Sequence, residues 1–116
     1  MLELTPEQMA VMERLRARGF QFAVFPLYER QIGIRKGNCA ALLEPAGGGG
    51  MRIVGEAAYL VAGNFSVRVM RGEKAWFVWK KIEVEATAER DEELARFATE
   101  LNDVLRGGSE SMKLGI

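Results

Sequence analysis

Histidine is absent from the 116-residue chain, and cysteine occurs once, at Cys39. The first absence removes Ser-His-Asp and Cys-His catalytic arrangements and every metal site that needs imidazole. The second removes a disulfide framework and any paired-cysteine metal or redox motif. Net charge is missing too. Sixteen basic residues balance 16 acidic ones, whereas modules built to bind nucleic acid are as a rule basic overall. No apolar run approaches the roughly 18 residues of a membrane-spanning helix; the longest, 57–62, stops at Gly63. Residues 1–7 show neither the basic segment nor the apolar core of a secretory signal. The expectation is therefore a cytoplasmic protein with no membrane association and a reduced thiol. Asn64-Phe65-Ser66 matches a glycosylation sequon, which carries no meaning without export.

What is present describes an ordinary globular domain. Apolar residues make up 48% of the chain and charged residues 28%, and at this length a single domain over 1–116 is expected. Thr5-Pro6-Glu7-Gln8 reads as a helix start. Thr5 is the cap, Pro6 sits where its missing N–H is harmless, and Gln8 completes a capping box. Met9, Val11, Met12 and Leu15 give an apolar stripe, Arg14, Arg16 and Arg18 fall on the solvent side, and Gly19 ends the helix.

From Phe20 the apolar period shortens to two. Alternating or apolar segments over 20–25, 30–35, 39–43, 51–62, 65–69 and 75–80 read as strands, the last of them extended by 82–86. Lys36-Gly37-Asn38 and Arg71-Gly72-Glu73-Lys74 supply turns, and Gly63-Asn64 suits a two-residue hairpin of type II′. The tetraglycine run at 47–50 reads as a flexible connection, and removing two of its residues is expected to be nearly neutral. Thr87 caps a final helix. Its early acids suit the helix dipole, and Leu94, Phe97, Ala98, Leu101, Val104 and Leu105 form its buried stripe. The fold class that follows is α+β. A helix over about 6–18 precedes an antiparallel sheet of five to seven strands within 20–86, and a helix over about 88–106 packs on that sheet. The tail at 109–116 has no pattern and is expected to fray.

Three segments, 39–43, 58–62 and 75–79, are apolar on both strand faces, whereas a half-exposed antiparallel strand alternates with polar residues. Two helices cover about one face of such a sheet. Either the chain folds over the other face or a second copy covers it, and two-fold homodimers are the commonest assemblies.

The functional candidates divide into three readings. The first is a non-catalytic interaction domain that dimerises through its sheet. The second is a small-molecule site, or an enzyme, between sheet and helices, with Tyr59, Arg68 and Trp79 brought together in a pocket. The third is single-stranded nucleic-acid binding by 65–81. There Arg68, Arg71, Lys74, Lys80 and Lys81 outweigh Glu73 to give a local charge of +4, with Trp76 or Trp79 available for stacking. The following segment, 82–103, carries −6, so neighbouring strand and helix can equally neutralise one another. The binding residues singled out are Arg68, Arg71, Lys80, Trp79 and Tyr59. Tyr28, Glu29 and Arg30 form a second aromatic and charged rim, which also suits an ordinary turn. Cys39, flanked by Ala40, Ala41 and Leu42, reads as a small core residue. No cofactor and no metal ion is called for by any residue pattern.

Overall fold

Helix α1 (Pro6–Ala17) begins and ends where its capping residues dictate. The computed structural model describes residues 4–28, 30–47 and 49–106; the sequence tail at 109–116 lies outside them. The Gln8 amide donates to the Thr5 hydroxyl at 3.1 Å, and the Thr5 amide donates to the Gln8 side chain at 2.9 Å, which is the reciprocal capping box. At the other end Gly19, at φ 92°, donates to the Arg16 carbonyl, and Phe20 donates to the Leu15 carbonyl, both at 3.0 Å. That is the Schellman closure.

Two positions of α1 depart from the simple stripe. Met9 is 55% exposed, and Gln8 takes its place in the buried row with Val11, Met12 and Leu15. The carboxamide tolerates burial because its oxygen serves the cap and its N–H donates to the Gly50 carbonyl at 3.2 Å. Gly50 also accepts from the Ala46 amide at 2.8 Å. The glycine run is therefore tied at its end to α1. Arg14, expected in solvent, donates to the Val104 carbonyl at 3.3 Å. A cation there complements the dipole of the second helix.

The strands form two antiparallel sheets. The first follows chain order: β1 (Gln21–Ala23), β2 (Ile32–Lys36), β3 (Cys39–Pro45), β4 (Met51–Val61) and β5 (Asn64–Phe65). The second is a meander of β6 (Val67–Arg71), β7 (Lys74–Trp79) and β8 (Ile82–Glu85). Helix α2 (Ala88–Leu105) closes the described chain and packs on the first sheet against β4. The molecule is thus α+β, with helices at both ends of the strand run. The strands expected in one sheet are divided between two, and the strand expected to run from 75 through 86 turns at Lys80, φ 55°, to become β7 and β8.

The division falls at Ser66, inside what reads as one alternating strand. Asn64 and Phe65 pair with Val61 and Leu60. The Ser66 hydroxyl then donates to the Tyr59 carbonyl at 2.6 Å, and the chain leaves for the second sheet. The hairpin that precedes it turns on Ala62-Gly63, one residue earlier than expected. Both have positive φ, 52° and 78°, which marks type I′ and not II′.

Along β4 the pairing slips. Val54 faces Leu42, but the next paired residue, Ala58, faces Ala40. Two extra residues on β4 form a bulge at Gly55, whose φ is 72°. An insertion of two preserves the strand's facing, so Met51 on one side and Tyr59 and Val61 on the other all reach the same core.

That core lies between the first sheet and the helices. It joins Val11, Met12 and Leu15 of α1 to Phe97, Leu101 and Val104 of α2, with Ile34, Cys39, Ala41 and Leu43 beneath them. Polar contacts hold the edge of the layer. Lys36 Nζ lies 3.0 Å from Glu100 and donates to the Arg18 carbonyl at 2.7 Å, and Arg18 Nε donates to Glu100 at 3.3 Å. Burial pushes the Glu100 carboxyl up, but the hydrogen bonds from Lys36 and Arg18 outweigh it and leave it below its ordinary range.

The opposite face of the first sheet is covered by the chain itself. Phe25 leaves the end of β1 and lies over Ala40, Leu42 and Leu60. Its ring meets Phe65 edge-on at 4.7 Å, and Tyr28, in a short 3-10 turn, adds a second contact to Phe65 at 5.6 Å. This cover explains why 39–43 and 58–62 are apolar on both sides. It also requires Gly33, where an added Cβ would stand 2.4 Å from the Ala23 carbonyl oxygen and 2.5 Å from the Phe25 ring.

Gly33→Ala is therefore expected to destabilise the fold by about 1–3 kcal/mol, as overpacking does. Ala62→Gly should stabilise it by about 0.5–1 kcal/mol, because relief of a left-handed alanine exceeds the added chain entropy. Urea unfolding midpoints at constant slope check both.

Candidate functional site

The two faces of the small sheet have different fates. In register, Arg68 stands beside Phe77 and Phe77 beside Val84. This face turns inward: Phe77 stacks on Tyr59 at 4.7 Å with 11° between the rings, and Trp79 and Val84 pack against the main core. The outer face carries Val67 and Val69 on β6, Trp76 and Val78 on β7, and Glu83 and Glu85 on β8, with Arg71 and Lys74 at one end. None of its four apolar side chains belongs to a core cluster or packs against one. Val67 is 65% exposed; Val69, Trp76 and Val78 are half-buried. Neither core cluster of the described residues extends over this face.

The charges around it are paired within the molecule. Arg71 meets Glu83 at 2.5 Å and Lys74 meets Glu85 at 4.0 Å. On the inward side Arg68 grips Asp91 of α2 through two hydrogen bonds, at 3.0 and 2.8 Å. The hydrogen bonds from Arg68 hold the Asp91 carboxyl below its ordinary range. The basic strand block and the acidic helix block thus neutralise one another where they meet.

The five residues singled out from the sequence are not gathered into one cavity. Tyr59 is buried under Phe77. Trp79 packs on the same core, and Lys80 lies over its ring at 4.8 Å. Arg68 is spent on Asp91, and Arg71 on Glu83. The outer face brings together Arg71 from that set with Trp76, Val67, Val69 and Val78. Strict alternation along β7 had already separated Trp76 and Val78 from Phe77 and Trp79. Which of the two rows meets the core depends on Tyr59 of β4, outside the meander, and no local signal states it.

A long open groove of about 810 Å³ runs between β4 and α2, with Met51, Ile53, Ala57, Leu94, Ala98 and Leu105 among its walls. Its polar members are largely engaged. Asp91 holds Arg68, Arg52 holds Glu44, and Asn102 donates to the Ala98 carbonyl. Among the described residues, no group of three or more acids and cysteines is placed to hold a metal ion. No helix among them is long and apolar enough to cross a membrane.

Cys39 is fully buried beneath the helices. Burial pushes its thiol up to about 12 from 9.0, with Glu93 adding to the rise and Arg96 opposing it. A protonated thiol inside the core is a poor nucleophile. The folded state holds this proton more tightly than the unfolded chain. Stability should accordingly be level below pH 9 and fall as the pH climbs toward 12. In the native protein a thiol reagent at neutral pH should label Cys39 at least about a hundredfold more slowly than in urea.

Comparison with known proteins returns no match: no family model, no curated protein and no solved structure matches this chain.

Proposed function

We propose that this protein is a non-catalytic interaction domain that associates with a second copy of itself through its sheet. The observation that carries the reading is the contrast between two doubly apolar regions. Residues 39–43 and 58–62 have their second face filled by Phe25 and Phe65. Residues 75–79 have theirs, with Trp76 at its centre, outside both core clusters of the described residues. A tryptophan among valines, ringed by charged side chains, has the composition of an interaction hot spot. A cytoplasmic location belongs to the same proposal.

Small-molecule binding in the β4–α2 groove is less well supported, because few polar groups there are free to orient a ligand. Nucleic-acid binding loses three of its five cations, Arg68, Arg71 and Lys74, to intramolecular ion pairs. The outer face is three strands wide and about six residues long, roughly 14 by 20 Å. That is small for an interface, so the dimer should form in the micromolar range and dissociate on dilution.

Light scattering behind size exclusion, from micromolar to millimolar protein, tests the reading. The expected result is a concentration-dependent dimer that Trp76→Ser shifts toward monomer while thermal stability stays close to that of the parent. Monomer throughout the range would overturn it.

A further inference from the structure

The pairing register of the small sheet makes one of its ion pairs span the open face. Arg71 stands opposite Lys74, and Glu83 opposite Val78. A line from Arg71 on β6 to Glu83 on β8 therefore crosses β7 midway between 74 and 78, which is the position of Trp76. The two side chains nevertheless close to 2.5 Å. Lys74 and Glu85 run diagonally beside them, and Glu85 stands directly opposite Trp76. Two parallel ion pairs thus lie on this face, one crossing the tryptophan and the other beside it, with both acids on β8. Both are exposed, and exposed pairs add little to a fold because water and salt screen them.

We infer that these pairs are the specificity element of the self-association proposed above, on which this inference rests, and that they exchange between copies when it occurs. Consider a two-fold axis lying in the interface, through Trp76 and perpendicular to the line from Arg71 to Glu83. It stacks Trp76 on its counterpart and sets Arg71 of each copy over Glu83 of the other. The face is self-complementary under that operation, as a two-fold contact must be: apolar at the centre, with one base and one acid at equal distances on either side. Strand spacings place the two sheets roughly at right angles in this arrangement, one of the two ways in which sheets stack. Each intramolecular pair opens and is replaced by an intermolecular one beside a buried tryptophan, where screening is weaker. The copies are held in register by charge and together by apolar area.

The test uses Arg71→Glu, Glu83→Arg and the double swap in the full chain, with circular dichroism and thermal melts to verify folding. Each single variant carries two like charges on the face and should raise the dimer dissociation constant about tenfold or more. Mixed in equal amounts, the two singles are complementary. Native mass spectrometry should then show the heterodimer in excess over either homodimer. The double swap restores both signs and should dimerise as the parent does. If the parent is dimeric but both singles associate normally and mix statistically, the charge exchange is wrong while self-association stands. A parent that is monomeric at every concentration removes the self-association reading and this inference with it.

Discussion

The stack of Phe77 on Tyr59 is the contact that makes one molecule of two sheets. Each sheet is a local construction, assembled from hairpins between consecutive strands. What relates them is an aromatic pair with nearly parallel rings, in the same core cluster that Trp79 and Val84 pack against. Once Phe77 is directed inward, period-two alternation forces Trp76 and Val78 outward. The open face of the small sheet is therefore a direct consequence of the buried one. The same constraint places Arg68 beside Asp91, since Arg68 shares the inward face with Phe77 but lies at its margin.

Much of the fold is legible in the sequence because its signals are local. The capping box at Thr5 and Gln8, the glycine stop at Gly19, the cap at Thr87 and the buried stripe of α2 each depend on residues within one or two helical turns. The turns at Gly37 and Gly72 follow from backbone freedom at single positions, with φ of 62° and 68°. Where reading fails, the deciding contact is remote. Nothing near Ser66 states that the alternation from 65 to 69 belongs to two sheets; the hydrogen bond to the Tyr59 carbonyl marks the division. Arg14 reads as a solvent residue, and Gln8 as a cap partner alone, until Val104 and Gly50, distant in sequence, accept their N–H groups.

The candidate surface is legible to the same depth. Doubly apolar strands can be identified from composition, and so can the question of what covers them. The answer differs between strands for reasons the pattern does not contain. Phe25 reaches back over β2 only because Gly33 leaves room for its ring. Among the described residues, no comparable segment brings Trp76 into a core cluster. The charge blocks are equally visible as a sequence feature, +4 followed by −6. Their partial cancellation is a matter of register: Arg71 with Glu83, Lys74 with Glu85, Arg68 with Asp91.

The meander of β6, β7 and β8 has a bearing on motion as well as on shape. Its strand pairings are all between neighbours in the chain, and it is secured to the larger body mainly at Phe77, Trp79, Val84 and the Arg68–Asp91 pair. Such a unit has its own local opening free energy, lower than that of the layer where α1 and α2 close over the first sheet. Amide hydrogens of the meander would then exchange with solvent through sub-global excursions, while those of β2 and β3 wait for the whole chain to unfold. The element that presents the open face is by this architecture also the first to let go.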